Sequence, residues 1–76
     1  MVPNDALINR IRALDFSFKK GTERVHIYKK NGSTLRVAIR RNQFHDDLYA
    51  AIILKQAGMA ESDVKAFIAS VKCTVH

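Results

Sequence analysis

The chain has one cysteine, Cys73, and no apolar run that approaches the ~20 residues required by a membrane-spanning helix. A single cysteine excludes an internal disulfide framework and is typical of a reducing compartment. No signal peptide precedes the first predicted helix. Together these absences predict a cytoplasmic protein with no membrane segment.

The common motifs of catalytic and metal sites are also missing. The sequence contains no glycine-rich phosphate loop, no nucleophile elbow and no H-E-x-x-H zinc motif. Cys73 and His76 lie close together, but they are too few for a structural zinc site, which needs four ligands. We therefore expect neither a metal nor a cofactor.

Acidic residues are scarce in the first half of the chain. The protein has 13 Lys and Arg against seven Asp and Glu, a formal net charge of +6. Ten of the basic residues fall between Arg10 and Arg41, where Asp15 and Glu23 are the only acids, so this segment carries +8. Such a one-sided basic field is typical of phosphate-backbone binding. Acidic protein partners and simple solubility are the alternatives.

A chain of this length forms one domain, residues 1–76, and its core must be economical. Apolar residues at 3.6-residue spacing predict a first helix over residues 4–13, with Asn4 as its cap. Residues 15–19 alternate with a period of two and predict a first strand with both phenylalanine rings inward. Residues 20–22 then predict a turn.

Residues 23–41 predict a β-hairpin. Residues 25–28 are β-branched and aromatic, whereas residues 35–40 mostly alternate between apolar and basic. Asn31-Gly32 between them is a strong hairpin signal, because both residues tolerate a positive φ angle.

Residues 48–57 are apolar almost all round, which predicts a second helix that is the most buried element and ends at Gly58. His45 is expected at the surface or, like Asp46, as the cap of this helix.

A short third helix is predicted to start at Glu61 or Ser62, with residues 72–76 as a tail. The order α-β-β-β-α-α indicates an α+β fold in which helices cover one face of a three-stranded antiparallel sheet. The other face is then left to solvent or a partner.

Three stretches carry a family resemblance. Residues 53–58 read I-L-K-Q-A-G, residues 37–39 read V-A-I before two arginines, and residues 26–28 read H-I-Y. They resemble a helix ending, a third strand and the end of the second-strand motif G-S-H-[HR]-x-[FY] in HicA-type toxins of bacterial toxin–antitoxin pairs. The resemblance covers roughly residues 4–60. It implies a double-stranded-RNA-binding-domain-like fold, endoribonuclease (mRNA interferase) activity and a partner antitoxin.

The chain departs from this family pattern at several positions. With Tyr28 aligned to the aromatic residue of the motif, Val25 falls on the catalytic histidine and His26 on the next, variable position. Gly21 and Thr22 are similar to the Gly-Ser of the motif, but two extra residues separate them from the aromatic. Arg40 stands where the family has a proline.

His26 is nevertheless the candidate catalytic residue. Metal-independent RNA cleavage needs a group that takes a proton from a ribose 2′-hydroxyl near neutral pH, and histidine suits this task. Cations must also stabilise the charge that develops on the phosphate oxygens. Arg24, Arg36 and Arg40 are expected near His26 on the strands.

Two hairpin registers place His26 on opposite faces. A three-residue loop at 30–32 puts it opposite Arg36 on the open face. A two-residue turn at 31–32 puts it opposite Val37, towards the helices, in agreement with the family resemblance. A one-residue change of register turns every side chain over, so the two are exclusive.

Three hypotheses for function follow. The first is a HicA-like ribonuclease that uses His26 and is silenced by an antitoxin. The second is a nucleic-acid-binding module of the same fold without catalysis, and the third is an interaction domain whose open face is closed by homodimerisation. The predicted RNA-binding residues are Lys19, Lys20, Arg24, Lys29, Lys30, Arg36, Arg40 and Arg41.

Overall fold

A computed structural model describes the backbone of residues 1–73 and the side chains of residues 1–71. Its elements in chain order are β1 (Val2–Pro3), α1 (Asn4–Ala13), β2 (Phe16–Gly21), β3 (Val25–Lys30), β4 (Arg36–Arg40), β5 (Phe44–His45), α2 (Asp47–Gln56) and α3 (Glu61–Cys73). Strands β2, β3 and β4 form an antiparallel sheet with β3 in the centre, and β1 pairs with β5 in a separate ladder. The predicted α+β layout of three helices and a three-stranded antiparallel sheet is confirmed.

The pairing of β3 with β4 differs from both predicted registers. Tyr28 lies opposite Val37 and His26 lies opposite Ile39. The loop between the strands spans residues 31–35, and the Lys30 N–H donates to the Leu35 carbonyl at 2.9 Å. The two-residue turn was therefore wrong in length. The register predicted with this turn pairs His26 with Val37, two residues from its observed partner Ile39. Because a displacement by an even number of residues keeps each side chain on the same face, the predicted faces are correct.

The core lies between one face of the sheet and the helices. Tyr28, Val37 and Ile39 point into it from the sheet and are almost fully buried. The other buried apolar side chains are Val2, Leu7, Ile11, Phe16, Ala50, Ile53, Leu54, Ala57, Val64 and Val71. Since the side chains of a strand alternate between faces, the opposite face of the sheet is left outside this core.

The first helix has the predicted bounds but not the predicted cap. Pro3 occupies the N-cap position and makes no side-chain capping bond, whereas Asn4 is already helical. The oxygen of Asn4 lies instead 2.8 Å from the ring nitrogen Nε2 of His45. A proline suits this boundary because its fixed φ angle is compatible with helix entry.

Strand β2 runs further than predicted. It continues to Gly21, and a bulge at Lys19 shifts its pairing with β3. Phe16 and Phe18 both lie on the inward face of the sheet, as predicted, because Phe18 pairs with the buried Tyr28. Phe16 is buried, whereas the ring of Phe18 is still 50% exposed. Phe18 lies on the edge strand and contacts the rings of His26 and Tyr28 edge-on.

Helix α2 is not covered by the rest of the fold on all sides. Leu48 is 73% and Ile52 46% exposed, which contradicts the prediction that this helix is the most buried element. Its end is as predicted, because Gly58 has a φ angle of +102°. The N–H groups of Gly58 and Met59 donate to the carbonyls of Lys55 and Leu54, which is the Schellman arrangement of a helix C-terminus.

Helix α3 extends to Cys73, so the predicted tail at 72–76 starts too early. Residues 74–76, including His76, lie outside the described part of the chain. None of the helices within residues 1–73 is long and apolar enough to cross a membrane.

Candidate nucleic-acid interface

The outer face of the sheet is basic. The register of the strands places Lys29 opposite Arg36, and Lys20 and Arg40 on the same side. None of the residues in β2, β3 and β4 is acidic, and none of those on this side is buried. We call the surface formed by Lys19, Lys20, Lys29, Arg36 and Arg40 the basic face.

The pKa of Lys19 indicates that other cations lie close to it. Its pKa is lowered from the ordinary value, first because the ammonium group loses solvation. The positive charges of Arg36, Lys29 and Lys20 lower the pKa of Lys19 further. The side chain of Lys19 remains largely exposed, and the positive charges that act on it come from β2, β3 and β4. A polyanion on this face would relieve that mutual repulsion.

Three of the predicted RNA-binding residues lie elsewhere. Lys30 pairs with the buried Phe16, so its side chain lies on the sheet face that packs against the helices. Arg24 lies in the loop between β2 and β3, and its carbonyl accepts the N–H of Arg41 at 3.1 Å. The Arg41 guanidinium donates through Nη1 to the carbonyl of Thr22 at 3.0 Å, so Arg41 is anchored at the end of the sheet.

Tyr49 of α2 fixes the end of β4. Its hydroxyl donates to the Ala38 carbonyl at 3.3 Å and accepts the Arg40 N–H at 3.1 Å. The Arg40 Cζ lies 4.8 Å from the centre of the tyrosine ring, within cation–π range. The sequence does not predict this role, because a tyrosine at the start of an apolar helix carries no signal for a contact with a strand edge.

His45 lies behind this tyrosine and is buried, so the prediction of a surface or capping role was wrong. It is 2% exposed, and its ring stacks on that of Tyr49 at 5.3 Å between centroids. Burial, and then the charge of Arg40, lower the pKa of His45 from its ordinary value. The strand pairing of β5 with β1 carries this side chain inward, and a two-residue strand has no readable periodicity.

His26 lines a groove at the end of the sheet. The groove has a volume of about 550 Å³ and is bordered by Arg40 and Arg41. The imidazole contacts Phe18 edge-on at 5.3 Å, and lies against Gly21 on the neighbouring strand. A Cβ atom on Gly21 would come within 3.0 Å of the His26 ring, so the absence of a side chain there makes room for the imidazole.

The cations expected around His26 are only partly assembled. Arg40 borders the same groove, as predicted, and Arg41 joins it. Arg36 points to the outer face, and Arg24 borders a neighbouring depression of about 390 Å³ together with Arg40 and Arg41. Within residues 1–73, no group of three or more His, Cys, Asp or Glu is placed to hold a metal ion.

Comparison with models of protein families, with characterised proteins and with solved structures finds no match to this chain. The likeness to HicA-type toxins therefore depends on the three short stretches quoted above, and it stays a prediction.

Proposed function

We propose that this protein is a small cytoplasmic RNA-binding domain of the double-stranded-RNA-binding-domain-like, HicA-like type, and that its basic face contacts the RNA backbone. The observation that carries the proposal is the outer face of the sheet, where Lys19, Lys20, Lys29 and Arg36 lie together. Arg40 follows at the end of β4, and none of the residues in these three strands is acidic. Phosphate contacts from such a surface supply affinity that does not depend on sequence.

The dimensions of this face suit a short stretch of backbone. Arg36 and Arg40 are separated by ~13 Å along β4, and the three strands span ~10 Å across the sheet. Val25 and Ile27 lie half-buried among the cations and offer apolar contact area. A second copy of the chain on this face would bring two sets of like charges together, so we favour a polyanion over homodimerisation.

The test measures the salt dependence of RNA binding by fluorescence anisotropy. Neutralising Lys29 and Arg36 together (Lys29→Gln with Arg36→Gln) removes two phosphate contacts from the centre of the face. We expect several-fold weaker binding and a salt slope that is smaller by about 1.4, since each contact to a single strand contributes about 0.7.

The matched control is Arg12→Gln with Lys65→Gln, which removes the same charge from exposed helix positions. If the control weakens binding as much as the double variant of the sheet, only net charge matters and the basic face is not the binding surface.

The groove supports RNA cleavage as a second candidate function. The specific observation is that the half-buried imidazole of His26 lies in a groove bordered by two guanidinium groups. In this reaction His26 takes the proton of a ribose 2′-hydroxyl, and the 2′-oxygen attacks the adjacent phosphorus. The bond to the 5′-oxygen breaks, this oxygen takes up a proton, and the products are a 2′,3′-cyclic phosphate and a 5′-hydroxyl.

The cleavage test incubates the purified protein with total RNA in the presence of EDTA. His26→Ala should abolish cleavage while the salt slope of RNA binding remains that of the parent protein, because His26 is not on the basic face. Cleavage that persists in His26→Ala would remove this histidine from the reaction. If the parent protein does not cleave RNA, the cleavage function is refuted and only RNA binding remains proposed.

A further inference from the structure

We propose that the groove beside the β4–β5 connection holds one unpaired nucleotide of the RNA chain that crosses the basic face. This inference rests on the proposed function and adds a site that recognises the base. The connection consists of residues 41–43, and it leads from Arg40 at the end of β4 to Phe44 at the start of β5.

The groove offers the three kinds of contact that a nucleotide requires. Its volume of about 550 Å³ is lined by the cations Arg40 and Arg41, by the amides Asn42 and Gln43, and by the ring of Phe44. Guanidinium groups bind phosphate, carboxamides pair with base edges, and an aromatic ring stacks on a base. Phe44 is 45% exposed, so its ring is accessible to such a base.

The two amides of the connection are free to bind. Within the part of the chain that the structure describes, the side chains of Asn42 and Gln43 make no hydrogen bond. Asn4 and Asn31, in contrast, use their side chains to bond other residues of the fold. A carboxamide presents a donor and an acceptor side by side, which matches the edges of unpaired bases.

The backbone of this connection is held at both ends. The Arg41 N–H donates to the Arg24 carbonyl at 3.1 Å, and the Gln43 carbonyl accepts the Asn4 N–H at 2.8 Å. Beyond it, β5 is paired with β1. Little ordering is therefore needed on binding, which favours affinity for a small ligand group.

The groove is also continuous with the basic face. Arg40 belongs to that face and borders both this groove and the neighbouring depression beside Val25. An RNA chain that runs across the basic face along β4 therefore reaches the groove at Arg40. One carboxylate, Asp5, lines the groove as well, and this group suits the N–H donors of a base better than a phosphate.

The experiment compares a single-stranded RNA of 12 nucleotides with a blunt duplex of the same sequence, using fluorescence anisotropy. Phe44→Ala and Phe44→Leu both remove the stacking ring, and the second keeps apolar volume in case the first unfolds. We expect each to weaken single-strand binding by about 5- to 100-fold. Duplex affinity and the salt slope should be unchanged, since a duplex presents no unpaired base and no phosphate contact is lost.

Two controls accompany these variants. Leu48→Ala removes another exposed apolar side chain outside the groove and should leave both affinities unchanged. Asn42→Ala with Gln43→Ala should reduce the difference in affinity between oligonucleotides of different base composition. The corresponding control, Asn9→Ala with Gln56→Ala, removes amides from exposed helix positions and should not.

The outcomes separate this proposal from the function on which it rests. If the Phe44 variants bind the single strand like the parent protein, or lose duplex affinity equally, the nucleotide site is overturned while the basic face is untouched. If the parent protein does not bind RNA at all, the proposed function fails. If a free mononucleotide binds as tightly as the oligonucleotide, the groove serves free nucleotides and the proposal for an RNA chain is overturned.

Discussion

Replacing Tyr49 with phenylalanine tests how α2 holds the end of β4. The change removes one hydroxyl, which bonds the Ala38 carbonyl at 3.3 Å and the Arg40 N–H at 3.1 Å. Each such bond contributes roughly 0.5–1.5 kcal/mol in a folded protein. Both backbone groups lie on an edge strand, where water replaces part of the loss, so we expect a total of about 1 kcal/mol.

For a domain of this size, about 1 kcal/mol corresponds to a fall in Tm of roughly 4–8 °C. Thermal unfolding followed by circular dichroism measures it directly. The ring of residue 49 stays in place, so the stacking on His45 and the contact with Arg40 should persist. RNA affinity should therefore change little in Tyr49→Phe and fall in Tyr49→Ala, which frees the Arg40 side chain.

Tyr28→Phe is the matched control for this prediction. It makes the same chemical change in a tyrosine whose hydroxyl has no hydrogen-bond partner within the described residues. Its Tm should fall by less than about 2–4 °C, half the fall expected for Tyr49→Phe, because substitutions without such a mechanism usually cost under ~0.5 kcal/mol. Equal Tm values for the two variants would refute the argument that Tyr49 ties α2 to β4.

Three further predictions concern pH, anions and the groove. The pKa of His45 is lowered in the folded protein, so the unfolded chain takes up a proton there first as the pH falls. The free energy of unfolding should therefore be highest above the ordinary histidine pKa of about 6.5 and should fall below it. His45→Gln should flatten the Tm profile between pH 7.5 and 5.5, and an unchanged slope would contradict the role of His45. Sulfate should raise the Tm of the parent protein more than that of Lys29→Gln with Arg36→Gln, because an anion relieves the mutual repulsion of the cations around Lys19. Equal shifts would argue against a crowded face. Gly21→Ala should move the His26 ring, because the new Cβ would lie 3.0 Å from its Cδ2 atom. The movement would be seen as a changed NMR shift of the carbon-bound ring protons, and any RNA cleavage should fall. A ring that stays in place would rule out this contact.

Long periodic segments of the sequence predicted the fold well. Helix α1 has the bounds read from its apolar spacing, and the Asn31-Gly32 signal does fall in the loop between β3 and β4. Gly58 ends α2 because only a residue that tolerates a positive φ angle completes the Schellman arrangement. Each of these features depends on local chemistry, which a single sequence displays.

Features that depend on contacts between distant segments could not be read in this way. The burial of His45 follows from the β1–β5 pairing, and neither of these two-residue strands shows a period. The exposure of Phe18 follows from its place on an edge strand before the bulge at Lys19. The groove likewise combines the start of α1, the start of β3 and the β4–β5 connection, which lie far apart in the sequence.

The pairing of Val2 with His45 has a consequence for the order of folding. Contacts between residues so far apart along the chain close a large loop, and they form late when nearer contacts already exist. The β2–β3–β4 meander consists of neighbouring strands and can assemble before that closure. Loosening of the short ladder alone would leave the meander and its cations intact but would displace Pro3 and Phe44, which line the groove. Under the proposed function, such loosening would weaken the recognition of a base without weakening the general attraction to RNA.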